Sequence, residues 1–364
     1  MTSNLPASDA LAPTDPRPAN TGLFLPRPGR RFEVGLAPYT SPGPGEVVVR
    51  VRAVAVNPID SLPGIAYRVV LPWLRFPAIV GSDVAGEIVE VGAGVTRMRV
   101  GDRVLGMAVG VEKDRNRAAE GAFQQHVVLV EHMVSPIPLQ LTFEQACVLP
   151  LATSTAATGL FQADHLALPL PTLDAQDRGE TVLVWGGSTS VGSCAIQLAK
   201  GAGYRVIATA SPHNFAYLRS LGADETVDRT SAAAADDIVA ALDGNRLAGT
   251  YAIGRGSLPP TLAVAARAPG SRRIASAQPA AAIRLTLLGR RRRGVRVTGI
   301  WGGTLRNNDV GPGIFVDYLP GALASSAFRA APDALVVGDG LAQIPVALDR
   351  LRHGVSAQKL VVRV

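Results

Sequence analysis

Between Thr181 and Asn214 the chain reads TVLVWGGSTSVGSCAIQLAKGAGYRVIATASPHN, and no other stretch narrows the possible folds as much. TVLVW has the continuous apolar character of a strand buried on both faces. Gly186 and Gly187 then let the backbone turn tightly, SVGSCAIQLAK carries helical spacing, and YRVIATA reads as a second strand. Strand, glycine turn, helix and strand make a βαβ unit whose helix N-terminus offers N–H groups to a pyrophosphate. Gly192, one turn into the helix, permits close packing of helix on strand. The middle glycine of G-x-G-x-x-G is replaced by Thr189, so the flanking elements carry the assignment rather than the motif alone. The expected phosphate contacts are Gly187, Ser188, Thr189, Ser190, Val191 and Gly192.

The end of the second strand selects the dinucleotide. An acidic residue there holds the ribose 2′-hydroxyl of NAD, but this chain continues as Thr209, Ser211, His213 and Asn214, with no carboxylate before Asp224. Hydroxyls and an imidazole can bond a 2′-phosphate that a carboxylate would repel. Arg229, after the third strand, adds positive charge or stacks on adenine. The cofactor expected is NADPH.

The rest of the 364-residue chain exceeds what one core usually organises, and two domains are expected. EVVVRVRAVAVNP, from Glu46, alternates like a half-buried strand. Further strand-like segments separated by Gly and Asp imply an antiparallel barrel or sandwich over roughly the first 135 residues. Thr142 is a candidate helix N-cap, with Glu144 close behind. From Thr181 onward strands and helices alternate, the pattern of a parallel sheet covered by helices. The fold class is therefore α/β, with a separate β-rich part. The first 22 residues read as a flexible proline-rich tail with neither a basic start nor an apolar core, hence no signal peptide. No apolar run approaches the roughly 18 residues a membrane helix needs. A cytoplasmic location is expected.

The net charge of +7 is concentrated in LLGRRRRGVRV, which carries Arg290, Arg291, Arg292, Arg293 and Arg296. Such a run reads as a solvated loop, with an acidic partner (a carrier protein, a nucleic acid or an anionic surface) as the alternative. Nucleic acid is not expected, since no aromatic residues interleave with the basic ones and no zinc-finger or RNA-module signature occurs. The two cysteines, Cys147 and Cys194, both fall in apolar segments and read as free buried thiols.

Taken in order, NPID (Asn57 to Asp60), GSDVAG (Gly81 to Gly86), VGAGV, GDRV, EGAFQQHVV, LPLATSTAATGL, the glycine turn with QLAK, LGADETVD and the terminal KLVVRV resemble the medium-chain dehydrogenase/reductase superfamily from about residue 30 to the end. WGGSTSVG with TASPHNF resembles its zinc-free branch. That branch holds quinone oxidoreductase relatives, trans-acting enoyl reductases that partner polyketide synthases, and reductive cyclases of polycyclic tetramate macrolactam type. The resemblance implies a GroES-like catalytic domain (residues 23–155 and 313–364) split around a Rossmann domain (156–312), with the active site in the cleft between them.

Zinc-dependent members bind the metal through a Cys, a His beside a Glu, and a further Cys or His. Here the first of these positions falls in NPID, Ser82-Asp83 replaces His-Glu, and MAVGVEKDRNRAAE, where a structural lobe would lie, has no cysteine. The five histidines show no ligand spacing, so no metal is expected. Without a Lewis acid, an alcohol is harder to polarise than a C=C conjugated to a carbonyl, which favours 1,4-reduction.

By resemblance, Asn57 lines the cleft near the nicotinamide, Asp60 ties the loop, and the Thr155 hydroxyl bonds the nicotinamide carboxamide. Ile253, Gly254, Ile300, Trp301, Gly302, Ser356 and Ala357 match later cofactor contacts. Tyr67 is a candidate proton donor. Two departures stand out. No lysine follows NPID, where enoyl reductases of this branch often carry one, and Tyr251 stands where the family often has Asp. The expected activity is reduction of an activated C=C on an apolar, polyketide-like substrate, free or carrier-bound, by an enoyl reductase or reductive cyclase. A quinone oxidoreductase and a non-catalytic NADPH-binding protein are the alternatives, and a monomer is favoured over a homodimer.

Overall fold

The computed structural model describes residues 18–288 and 294–364. The run Arg290–Arg293, with its docking reading, lies outside these residues. Among the described residues the first element is a strand at Asn20–Leu25, so residues 20–22 are not tail: the buried Asn20 amide bonds the Gln124 side chain at 3.0 Å and fixes the chain there.

The first part is antiparallel, as its turn spacing predicts. Its centre is Glu46–Ala55, paired with Asp83–Val91 on one side and, at its two ends, with His126–Val130 and the terminal strand Gln358–Arg363 on the other. The half-buried reading of this strand needs correction. Only Arg50 is exposed along it, because its two faces enter different apolar clusters. Register matters here. Asp83 lies opposite both Ala55 and Met107, and Val361 lies opposite Ala55, which brings Lys359 to Asn57.

The second part is a six-stranded parallel sheet. Numbered along the chain (Glu180–Trp185, Arg205–Ala210, Glu225–Asp228, Arg246–Ala252, Arg273–Ser276, Arg296–Gly299), its strands lie side by side as third, second, first, fourth, fifth and sixth. The order reverses between Glu180–Trp185 and Arg246–Ala252, and the crevice beyond the carboxyl ends of those two strands is where such sheets bind ligands.

Helix Pro150–Phe161 joins the parts. PLATSTAATGLF has small residues on every side and is buried around nearly its whole circumference, as a helix between two layers must be. A Cβ on Gly159 would lie 2.4 Å from the Tyr251 ring, so glycine is needed for that approach. Thr142 caps the preceding short helix Phe143–Ala146, with Gln145 rather than Glu144 completing the capping box. The segment after residue 312 packs Phe315, Tyr318 and Phe328 into the same core as helix Ser190–Gly201. Among the described residues no helix is long and apolar enough to cross a membrane.

Candidate functional site

A cavity of about 1000 Å³ opens at the carboxyl ends of the parallel strands and runs to the antiparallel sheet. Every site residue expected from the sequence lines it except Gly187, Gly192, Thr209 and Tyr67. The three nucleotide-motif residues among these exceptions work beneath the surface. A Cβ on Gly192 would meet the Gly186 carbonyl oxygen at 2.2 Å, and one on Gly187 would press on Leu218 at 3.0 Å. The buried Thr209 hydroxyl accepts the Gly186 N–H at 3.1 Å, holding the turn from below rather than touching a ligand.

Thr189, in place of the middle glycine, is the N-cap of helix Ser190–Gly201. Its hydroxyl donates to Gly186 O at 2.8 Å and accepts the Gly192 N–H at 3.0 Å. The threonine thus closes the turn internally, while Ser188, Ser190 and Val191 line the cavity above.

Farther along, Ser211, His213 and Asn214 line the cavity, with Arg229 held beside them by its N–H donating to Ala210 O at 3.1 Å; Arg255, which sequence reasoning missed, also lines the cavity, after the fourth strand. Asn214 donates to Ser356 Oγ at 3.0 Å, and His213 Nε2 lies 3.4 Å from the same oxygen, so the C-terminal segment closes over this loop. Ala357, beside it, has φ of +49°, a strained left-handed conformation for a residue with a side chain. Ile253 and Gly254 extend from the fourth strand, and Ile300 and Trp301 follow the sixth.

The floor is a buried polar network. Asn57 donates to Asp83 Oδ2 at 2.8 Å and accepts from Lys359 Nζ, while Lys359 pairs with Asp83 at 3.0 Å. The other Asp83 oxygen accepts the Leu151 N–H at 2.6 Å, which ties helix Pro150–Phe161 to the floor. Asp83 is 0% and Lys359 4% exposed. The Asn57 N–H donates to Asp60 Oδ2 at 2.8 Å, the loop-tying role expected of Asp60. Burial nevertheless pushes Asp60 up to about 7. Lys359, from the terminal strand, supplies a cation where none follows NPID. Its separation of 302 residues from Asn57 kept it out of reach of motif reading.

Thr155 lines the cavity with its hydroxyl donating to Leu151 O at 2.7 Å, which leaves the oxygen's lone pairs to accept. Tyr251, the departure from the family pattern, donates to Thr155 O at 2.6 Å and positions that residue from behind. Tyr67 is not at the site. Its buried hydroxyl donates to Asp60 O at 3.0 Å, and burial raises its pKa, so the proton-donor expectation fails for want of access to the cavity.

Among the described residues one carboxyl lines the cavity, that of Glu112, which accepts the Trp301 indole N–H at 2.9 Å. Sequence reading passed over it as part of a loop without cysteines. Both thiols are buried in the core, off the cavity. Among the described residues no three His, Cys, Asp or Glu side chains converge.

Comparison with known proteins fits this geometry. Residues 43–139 match the alcohol dehydrogenase GroES-like domain, and residues 190–309 match the family described as zinc-binding dehydrogenase. The dehydrogenase azaJ of Aspergillus niger is 44% identical over 95% of this chain and 99% of its own length. The chain belongs to the medium-chain dehydrogenase/reductase superfamily. Within it, the trans-enoyl reductase himH of Aspergillus japonicus is 37% identical over 92% of this chain and 94% of its own length. A crystal structure of an alcohol dehydrogenase superfamily protein from Novosphingobium aromaticivorans superposes with a TM-score of 0.73 at 26% identity, covering 95% of this chain and 99% of that one. Superfamily membership makes this chain an oxidoreductase that uses a nicotinamide cofactor. Its antiparallel and parallel parts are the GroES-like and Rossmann-like domains.

Proposed function

We propose that this chain is an NADPH-dependent, zinc-independent reductase of a C=C conjugated to a carbonyl, acting on an apolar, polyketide-like substrate. The carrying observation is the part of the cavity lined by Ser211, His213, Asn214 and Arg229. It holds hydroxyl, imidazole, amide and guanidinium groups and no lining carboxylate, and among the described residues Arg229 makes no salt bridge. That donor set fits a 2′-phosphate. The turn residues Ser188 to Val191 would hold the pyrophosphate, and Thr155 the carboxamide. When bound, the cofactor supplies hydride.

The floor serves the acceptor. A lysine has three N–H donors and a side-chain amide two. Asn57 takes one from Lys359, whose ammonium also forms an ion pair with Asp83 at 3.0 Å, and Asp83 takes one from Asn57. One donor on each is left for the carbonyl oxygen that gathers charge during reduction. The same ammonium argues against zinc despite the name of the second family model. Asn57 and Ser82 are poor zinc ligands, and a buried cation beside them would repel a divalent ion. Apolar walls from Val56, Ile59, Met107, Val111 and Leu151 suit an apolar acyl chain, and the name of himH points the same way. The reading takes the substrate as free or carrier-bound and the chain as a monomer.

The test is fluorescence titration with NADPH and NADH, followed by assay on enoyl thioesters, enones and quinones. NADPH binds more tightly, and Arg229→Ala removes most of the difference, by roughly tenfold for one charge-assisted bond. Equal affinity for both cofactors, or reduction of quinones alone, sinks the proposal.

A further inference from the structure

Glu112 is a buried acid that the preceding reading does not use. It is 7% exposed and lines the cavity between Val111 and the Trp301–Gly303 segment. Its position is built. Arg115, on the same loop, pairs with Glu46 and Glu120 of the antiparallel part. Val111 O accepts the Trp73 indole N–H at 2.9 Å. A Cβ on Gly303 would lie 1.9 Å from Glu112 Oε1, and one on Gly302 would lie 2.6 Å from Thr155 Oγ1. Two consecutive glycines therefore admit this carboxyl and the Thr155 hydroxyl to the same stretch of backbone.

Among the described residues the carboxyl has one hydrogen-bond donor, the Trp301 indole. A carboxylate offers about four acceptor sites, and one neutral donor does not compensate for burying a charge. The charged groups around it are Arg306, from the segment Gly302–Asn307, and Asp114 on its own loop, and these two pair with each other. Lys113 is exposed, and Arg115 is engaged with Glu46 and Glu120. Burial outweighs the indole and Arg306 and raises the Glu112 pKa, favouring the form that carries a proton.

We propose that Glu112 is the proton donor of the reaction, delivering its carboxyl proton to the α-carbon of the substrate. This rests on the conjugated-reduction reading above. A reduced nicotinamide held by the turn residues and Thr155 would supply hydride, two electrons, to the β-carbon, and the C=C electron pair would then shift so that charge collects on the carbonyl oxygen as an enolate. The enolate re-forms its C=O and takes the Glu112 proton, making the α C–H bond. The carboxylate left behind regains a proton from solvent after product leaves. A neutral acid also avoids the like-charge repulsion that a carboxylate would meet beside an enolate.

The experiment uses the full-length chain, NADPH and trans-2-octenoyl-N-acetylcysteamine thioester. Wild-type turnover falls as pH rises through the Glu112 pKa. In D₂O it places deuterium on one face of the α-carbon. Glu112→Gln keeps an acceptor for Trp301, yet lowers kcat by roughly a hundred- to ten-thousand-fold, flattens the alkaline limb and scrambles the face of deuteration. Glu112→Asp keeps an acid and retains single-face deuteration at reduced rate. Without cofactor, tryptophan emission changes with pH in the wild type and is flat in Glu112→Gln. If the wild type reduces neither this thioester nor an enone, the conjugated-reduction reading falls and takes this proposal with it. If it reduces either, and Glu112→Gln keeps the wild-type rate, pH limb and face selectivity, Glu112 alone is overturned.

Discussion

At Gly192 the distance to the Gly186 carbonyl decides what the turn can be. A methyl group there would sit 2.2 Å from that oxygen, a backbone atom with no rotamer to escape into. Gly192→Ala must push the helix start away from the strand, at roughly 1–3 kcal/mol for an overpacked site, and shift the N–H groups of the phosphate turn. Thermal melts should show the loss, and NADPH affinity should fall by tenfold or more. Unchanged melting and affinity would mean the turn has slack that these distances deny. Lys359 makes the complementary case. Its removal leaves Asp83 buried with the Asn57 amide and the Leu151 N–H but no cation. Lys359→Met should destabilise the chain by roughly 3–5 kcal/mol, read as a lower urea midpoint at unchanged slope. Lys359→Met, Asp83→Asn should recover much of that loss, because it removes the uncompensated charge.

Among elements, helix Pro150–Phe161 and the loop after Met107 matter most to the site. The helix delivers Thr155 to the cavity, bonds Asp83 through its first turn, and takes the Tyr251 hydroxyl on its middle. LPLATSTAATGL was readable as helix from its composition. That it lies between two layers came only from the structure. The 110–120 loop was legible only as a place lacking cysteines. Its order comes from Arg115 and Arg117, which both reach Glu46 and Glu120. Turn chemistry was the most legible level. Thr142 and Thr189 cap their helices as Ser/Thr residues at such boundaries do, and the departure of Thr189 from the glycine motif is explained by the cap it forms.

Across the molecule, buried acids set how stability varies with pH. Asp60 is pushed up to about 7 by burial, against about 3.9 in an unfolded chain. Between these values the folded state holds a proton that the unfolded state has lost, so stability declines as pH rises from about 4 toward 7. The limiting slope for one such group is about 1.4 kcal/mol per pH unit. Asp60→Asn should flatten that decline when urea midpoints are compared at several pH values, and a wild-type midpoint independent of pH across this window would refute the assignment. The raised Glu112 contributes in the same direction.

The sequence by itself determined what contiguous residues can carry. The βαβ unit, its capped turn, and the neutral and basic residues after the second strand are written within a few dozen positions, because strand ends and helix starts are local features. Tertiary structure alone decided which distant residues share the cavity floor and rim. Lys359 meets Asn57 across 302 positions, Glu112 meets Trp301 across 189, and Tyr251 meets Thr155 across 96. Those meetings follow from sheet register and packing. The charge state of an acid such as Glu112 or Asp60 follows from how much water its neighbours exclude, which no residue carries in its own letter.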